Sequence, residues 1–217
     1  MKPMIALAAL AVAVTVAHFA WKGAGSNDWQ LVRDENGIQV FTLKTPGQAL
    51  LKVKATMKLD TRLSSAVALL RDDPFGVDSA TSEIQVIERI ETPEVFLSYI
   101  AVDNVPVPFG SRELVALVNY SQSADKHVEI NVQAAPTKAP PSGTTARVKH
   151  LNNVIRLIPA ADGRLEWEVS SDVDMDVLYP LANFALPREL FDRLRIQRAR
   201  VMTQKYVQAS LVSVREL

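Results

Sequence analysis

The chain has 217 residues, of which 48 % are hydrophobic, and its 24 Lys and Arg balance its 24 Asp and Glu. This length allows one domain with a small appendage, and a chain of this hydrophobicity can bury a true core. Zero net charge argues against a nucleic-acid partner, because a broad nucleic-acid surface needs clustered excess Lys and Arg. The absence of cysteine excludes disulfides, thiolate catalysis and Cys-ligated zinc, and with only three histidines we expect neither a metal nor a cofactor.

The N-terminal segment differs in composition from the rest of the chain. Lys2 precedes an apolar run over residues 4–21, and a linker with small residues follows at 23–27. A basic start, an apolar run and small residues are typical of a secretory signal, and a run of about 18 residues also approaches the length that spans a bilayer. We therefore predict that residues 1–26 are a cleaved signal peptide or an uncleaved membrane anchor with its linker. Residues 27–217 are then an exported domain, in the periplasm or another extracytoplasmic space.

Strand signals open this domain. Two short apolar runs, residues 28–33 and 38–43, lie on either side of Asn36-Gly37. Asn-Gly between two such runs is a strong signal for a hairpin turn. Residues 51–59 then alternate between apolar side chains and Lys or Thr, which predicts a half-buried strand whose lysine face is in water.

A short helix and six more strands follow. Asp60 can cap a helix over residues 61–71, which Asp73-Pro74 ends. Tyr99, with Leu97 and Ala101, is placed on the inner face of the second of the six strands. The strands are predicted over residues 83–90, 95–102, 112–120, 127–134, 146–158 and 164–173, with a Pro-rich loop at 135–143.

The last segment changes its hydrophobic period to 3.6 residues. The change begins at Pro187 and predicts a long helix that ends near residue 210. An antiparallel sheet followed by one long helix indicates an α+β fold, and a curved sheet around a helix tends to enclose an apolar cavity for a small hydrophobic ligand. The inner side of the helix is predicted to carry Phe184, Phe191, Leu194 and Val201.

Four strings, in order and over residues 29–210 as a whole, resemble the START (StAR-related lipid transfer) domain family. They are residues 28–41 (DWQLVRDENGIQVF), 83–90 (EIQVIERI), 105–115 (VPVPFGSRELV) and 174–180 (DMDVLYP). The resemblance implies a helix-grip fold, in which a curved antiparallel sheet wraps round a long C-terminal helix and an internal hydrophobic cavity. It also implies a monomer, not an enzyme, that binds one lipid-like molecule and carries or senses it at a membrane surface.

Several residues depart from the family pattern. Glu113 follows Arg112 where the family has Asp, and Val177 replaces a glycine before the last helix. In the members that carry sterol, a buried acid and an arginine occupy neighbouring strands, and those positions correspond here to Tyr99 and Val118. The buried charged pair is therefore absent, and the resemblance does not extend to sterol recognised in that manner.

The resemblance places a ligand site inside the sheet and a gate at its edge. A hydroxyl at Tyr99 could meet a ligand head group or find a partner in the core, and Arg112 could clamp an anionic head or form a structural ion pair. The loop over residues 102–111 would act as the gate together with the C-terminal helix. The predicted ligand-binding residues are Tyr99, Arg112, Leu114, Ala116, Val118, Trp167, Phe184, Phe191 and Leu194, and the apolar gate residues are Val105, Val107 and Phe109.

Two other functions remain open. Related helix-grip proteins include polyketide cyclases and aromatases, which would need acid–base groups in the cavity. His127 and His150 lack the partners of a catalytic triad or a metal site. The second alternative is a scaffold of the cell envelope that binds no ligand, for which a collapsed interior would be the sign.

Overall fold

The computed structural model describes residues 2–76, 82–92, 96–107, 110–143, 145–211 and 214–216, without the side chains of residues 2–10 and 106–107. Four helices and nine strands are present in this part of the chain. In chain order they are α1 (Lys2–Gly23), β1 (Trp29–Glu35), β2 (Ile38–Leu43), β3 (Lys52–Leu59), α2 (Leu63–Asp72), β4 (Ile84–Glu91), β5 (Phe96–Val107), β6 (Gly110–Gln122), β7 (Val128–Ala134), β8 (His150–Pro159), β9 (Leu165–Asp174), α3 (Tyr179–Val201) and α4 (Gln204–Val207).

The nine strands form one antiparallel sheet in the order β1-β2-β3-β9-β8-β7-β6-β5-β4. Strands β1 to β3 and the meander β4 to β9 meet at the pair β3–β9, where Met57 lies opposite Trp167. α3 packs against β2 and β3, and α2 packs against α3, α4 and β8. The predicted α+β class and helix-grip architecture are confirmed.

Alternation along the strands sets the inner face. In β3, Val53, Ala55, Met57 and Leu59 are buried, as their spacing predicts, and the lysines between them lie toward solvent. The turn between β1 and β2 also follows the sequence, because Asn36 and Gly37 have φ of 53° and 72°. Both lie in the left-handed region that a tight hairpin turn requires.

The inner face of β5 differs from the prediction. Phe96, Ser98, Ile100 and Val102 are buried, whereas Tyr99 is half-buried on the other face, with Lys138 Nζ 4.0 Å from its ring centroid. The placement of Tyr99 toward the core is therefore wrong. Both rows of this strand are largely apolar, so alternation alone cannot choose between them, and a shift of one residue turns every side chain to the opposite face.

A distant residue holds the N-terminus of α2. The helix begins at Leu63 after an N-cap at Arg62 with no side-chain cap, so the predicted cap at Asp60 is wrong. The Glu216 carboxylate instead accepts hydrogen bonds from the Leu63 amide (3.1 Å) and the Ser64 amide (2.9 Å). A carboxylate at this end also complements the helix dipole.

The C-terminal helix begins earlier and ends earlier than its apolar period predicts. α3 runs from Tyr179 to Val201, with Pro180 in its first turn and Pro187 inside it. Phe184, expected on the inner side, is 79 % exposed, and that expectation is corrected. Pro187 removes one backbone hydrogen bond of the helix, so the apolar stripe that follows it does not fix the orientation of the turns before it.

The end of α1 packs beside the start of α3. Trp21 stacks on Tyr179 with ring centroids 6.5 Å apart, and its Nε1 donates to the Ala49 carbonyl at 2.8 Å. Within the residues that the structure describes, no helix has both the length and the hydropathy needed to cross a membrane.

Candidate functional site

A cavity of about 60 Å³ lies between α3 and strands β3, β8 and β9. Small side chains on the first half of α3, Ala182 and Ala185, leave this space open between the helix and the sheet. The rest of the wall is mainly apolar and includes Val53, Leu151, Val173, Met175, Leu186 and Leu190. The cavity has the mixed but mainly apolar lining that is typical of ligand sites.

Three polar side chains converge on this cavity. Asn153 on β8 and Ser171 on β9 lie directly opposite each other in the sheet, and Arg193 on α3 faces them across the space. Asn153 is 6 % exposed, and its Oδ1 is buried without a hydrogen-bond partner. The sheet and the helix therefore enclose a small polar cluster within an apolar wall.

Arg193 is half-buried, and the loss of water around its guanidinium is the main influence on its pKa. Loss of water lowers the pKa of its guanidinium, while the carboxylates of Glu189 and Asp73 act in the opposite direction. Glu189 lies one turn earlier on α3, is exposed, and lines the edge of the cavity. An arginine remains protonated in proteins even when its pKa falls, so this cavity contains a positive charge.

Sequence reasoning missed this cluster, although the signals are present. Arg193 follows Leu186 by seven residues and Leu190 by three, which places it on the apolar stripe of the helix. Asn153 alternates with the buried Leu151 and Ile155. A polar residue at an inward position of either pattern marks a site where the core meets a polar group.

Most of the predicted ligand-binding residues lie in the core that adjoins the cavity. Leu114, Ala116, Val118, Phe191 and Leu194 are all buried there. The same cluster also contains four residues of the cavity wall, namely Val53, Leu151, Val173 and Leu190. These five predicted residues therefore belong to the same core as the cavity wall, but they do not line the cavity itself.

Trp167 is the largest fully buried side chain of the described residues. It is 0 % exposed between Met57 of β3 and Leu157 of β8, and its indole Nε1 has no hydrogen-bond partner. Core packing accounts for its position. Like Asn153 Oδ1, its indole Nε1 is a buried polar atom without a partner.

Arg112 contacts the chain that leads into α3. Its Nε donates to the Met175 carbonyl at 2.8 Å and its Nη2 to the Asp176 carbonyl at 3.0 Å. Its Nη1 donates to the Ser111 carbonyl at 3.0 Å, so all three nitrogens are in use. Arg112 holds the segment before α3 in place by backbone contacts, and in this arrangement it neither lines the cavity nor forms the expected ion pair.

The predicted gate loop is mostly a hairpin. β5 continues to Val107 and β6 begins at Gly110, so the strands occupy much of residues 102–111. Val105 is 3 % exposed and pairs with Arg112 in the ladder, which makes it a core residue. The Val107 side chain and the whole of Phe109 lie outside the described residues.

A second buried charge group lies away from the cavity. Arg147 binds Glu113 through Nη2–Oε1 at 2.6 Å and also donates to the carbonyls of Pro136 and Pro140 in the Pro-rich loop. Hydrogen bonding from Arg147 holds the pKa of Glu113 below its usual value, against the opposing effect of burial. This pair fastens the loop to the sheet.

Two of the three histidines form exposed pairs with aspartates. His150 Nε2 lies 3.3 Å from Asp172, and His127 Nδ1 lies 3.2 Å from Asp125. Across the described ranges, no group of three or more His, Asp or Glu side chains is arranged to hold a metal ion.

No protein-family model matches the chain. The uncharacterized protein PA1579 of Pseudomonas aeruginosa is 25 % identical over 178 residues, which cover 78 % of this chain and 87 % of that protein.

Among the solved structures that this chain resembles are two described as StAR-related lipid transfer proteins. A STAR-related lipid transfer protein from Xanthomonas axonopodis superposes with a TM-score of 0.71 at 22 % identity, covering 81 % of this chain and 99 % of that one. Human StAR-related lipid transfer protein 5 gives a TM-score of 0.63 at 16 % identity, covering 93 % and 98 %. The chain therefore has the helix-grip fold of the START domains.

Proposed function

We propose that this protein binds one lipid-like molecule under α3 and carries or senses it at a membrane. The observation that carries the proposal is the mainly apolar cavity between α3 and the sheet, with a few polar groups, in a fold shared with lipid transfer proteins. Moving an apolar chain from water into such a space gains about 25 cal/mol per Å², which needs no covalent chemistry.

The size of the cavity requires its wall to move. About 60 Å³ holds only a few water molecules, whereas ligand pockets commonly measure roughly 300–1,000 Å³. The first half of α3 is the wall that can move, because Ala182 is its one buried residue among those described before Pro187. Entry of a lipid then displaces this half and the segment that Arg112 holds.

The exposed apolar residues near this wall support contact with a membrane. Leu178 is 75 % exposed and Phe184 is 79 % exposed, and both lie at the start of α3, beside the end of α1. The basic and apolar leader supports export, with the domain outside the cytoplasmic membrane as a released or tethered protein. The apolar residues at the start of α3 would then face the bilayer from which the ligand enters.

The small volume also favours a second candidate, an envelope scaffold with a closed interior. The two candidates differ in what the purified protein holds. Native mass spectrometry of the full chain from its own host detects a bound lipid with a stoichiometry near one if the lipid proposal holds. It also gives the mature N-terminus.

A matched pair of variants sharpens this test. Ala185→Trp fills the cavity with an indole. A ligand would then overpack the same space, so binding of fluorescent lipids should weaken by about tenfold or more. Ala199→Trp, on the exposed side of the same helix, should bind like the wild type. If folded, delipidated wild type binds no lipid class, the lipid proposal fails and the scaffold remains.

A further inference from the structure

Arg193 differs from the other arginines of α3. Its guanidinium forms no hydrogen bond or ion pair with any residue in the described part of the chain, although Glu189 lies only one turn away. The other four all have partners. Arg188 and Arg195 pair with Asp192, Arg198 donates to the Asn36 carbonyl, and Arg200 lies 2.5 Å from Asp73.

The groups opposite Arg193 are also unpaired. The side chains of Asn153 and Ser171 make no hydrogen bond with another described residue, and both line the cavity. Buried polar groups are nearly always paired, because leaving them unpaired costs stability. Asn153 Oδ1 is such a buried unpaired atom, and Ser171 and Arg193 are half-buried beside it. Because all three line one cavity, they can bind a polar group in common.

The chemistry of the three side chains selects the charge of that group. A guanidinium offers five N–H donors in a planar fork that matches a carboxylate or phosphate, while an ammonium head would repel it. On the sheet side, the Ser171 hydroxyl and the Asn153 Nδ2 can donate to such a head, whereas the unpaired Asn153 Oδ1 is an acceptor. Glu189 remains at the exposed edge, so no described acidic side chain neutralises Arg193 by direct contact.

We propose that Arg193, with Asn153 and Ser171, binds the head of an anionic amphiphile whose single carboxylate or phosphate enters the cavity. This rests on the proposed function, since the apolar wall receives the tail. The carboxylate of a fatty acid and the phosphate of a lysophospholipid share the required acceptor oxygens. The ligand enters head first, toward β8 and β9, and its tail extends along Val53, Leu186 and Leu190.

The test compares amphiphiles with the same tail and different heads. Oleate and oleoyl lysophosphatidate are titrated, below their micellar concentrations, against the full chain loaded with the neutral probe N-phenyl-1-naphthylamine, beside neutral monoolein and oleyl alcohol. Wild type should bind at least one of the anionic ligands about tenfold or more tightly than the neutral ones. The anionic ligand that binds more tightly identifies the head group as a carboxylate or a phosphate. Inorganic phosphate alone should not displace the probe.

Two variants assign the preference to this cluster. Arg193→Met should lose the preference for the anionic head, so that it binds anionic and neutral ligands with similar affinity. Arg195→Met, which removes a surface arginine of the same helix, should keep the preference. Circular dichroism checks that each variant is folded.

The outcomes separate this inference from the proposed function. Equal affinity of wild type for anionic and neutral ligands overturns the anionic head and leaves lipid binding intact, and so does a preference that survives in Arg193→Met. Displacement of the probe by phosphate alone at the same concentration as lysophosphatidate assigns the site to a free anion and overturns the amphiphile. Absence of binding for every amphiphile overturns the proposed function itself. The wild-type comparison is decisive even if Arg193→Met does not fold.

Discussion

The two halves of α3 meet the sheet in different ways. Of the described residues from Tyr179 to Pro187, Ala182 alone is buried, and Leu178 and Phe184 beside them are largely exposed. After Pro187, Leu190, Phe191, Leu194, Gln197 and Val201 are all buried. The cavity lies under the first half and the turns just after Pro187, where Glu189, Leu190 and Arg193 line it. The rest of the second half packs into the core.

Polar contacts strengthen the same difference. In the second half, Arg200 pairs with Asp73 at 2.5 Å, and the Arg33 guanidinium lies 3.4 Å from the Phe191 ring centroid. In the first half, Asn183 makes side-chain hydrogen bonds to the segment before β3, through the Leu51 amide and the Ala49 carbonyl. Each large apolar side chain that stays buried contributes about 1.5–3 kcal/mol, so the first half can open at much lower cost than the second. One helix can therefore serve as both anchor and gate.

The largest expected effect is a contrast between two phenylalanines one heptad apart. Phe191→Ala should lower the free energy of unfolding by about 3–5 kcal/mol, because it removes a buried ring and leaves a cavity. Phe184→Ala should change it by less than about 0.5 kcal/mol, because its ring is in solvent. Urea unfolding measures both values, and similar losses for the two variants would remove the distinction between the halves.

Acid should weaken a region remote from both halves. Arg147 holds the pKa of Glu113 below its usual value of 4.5, so this pair adds stability above that pH and loses it as pH falls through the lower folded value. Glu113→Gln should cost about 3 kcal/mol at neutral pH, because Arg147 stays buried without its counter-charge.

The measurement is urea unfolding of wild type and Glu113→Gln between neutral and acid pH. The difference between the two proteins should narrow below about pH 4, since the variant has no carboxyl to titrate at this position. A constant difference would show that the charge of Glu113 does not carry the effect. Hydrogen exchange across α3 should stay the same in both, because the pair fastens the Pro-rich loop and not the helix.

A smaller effect is expected where Arg112 holds the chain before α3. Arg112→Met removes its bonds to the Met175 and Asp176 carbonyls and should lower the free energy of local opening by about 2 kcal/mol. Amides over residues 177–186 should then exchange roughly 30-fold faster, while those over 190–201 keep the wild-type rate. Arg164→Met, which removes an exposed pair with Asp162, is the control. Equal acceleration along the whole helix would mean that α3 moves as one unit.

Much of the sheet could be predicted from local pattern. β3 and β9 alternate between apolar and polar or charged residues. Because successive side chains of a strand point to opposite faces, the apolar row must be the one that faces the core. On β6 the predicted row of Leu114, Ala116 and Val118 is also buried, although Val115 of the other row is buried as well. The order of the elements and the four family strings also predicted the helix-grip fold that the structure has.

Local pattern failed where the neighbouring residues permit two different structures, such as either face of a strand turned inward or either of two starts for a helix. β5 is apolar on both faces, so only its pairing with β6 buries Ser98 and turns Tyr99 outward. The N-terminus of α2 depends on Glu216, more than 150 residues away, and no sequence window contains both. Proline signals the start of a helix, but α3 contains two, and the structure uses Pro180 in the first turn.

The sequence by itself determined the fold class and most of the inner rows, because hydrophobic periodicity and turn residues act over a few neighbours. Only the tertiary structure decided where the cavity lies and what faces it. Arg193, Asn153 and Ser171 come from three elements that only the fold brings together. The sequence shows that Arg193 lies on an apolar stripe, but it does not show that the sheet opposite supplies no partner for its charge. Long-range packing makes that choice, since it sets which side chains meet and which remain unpaired.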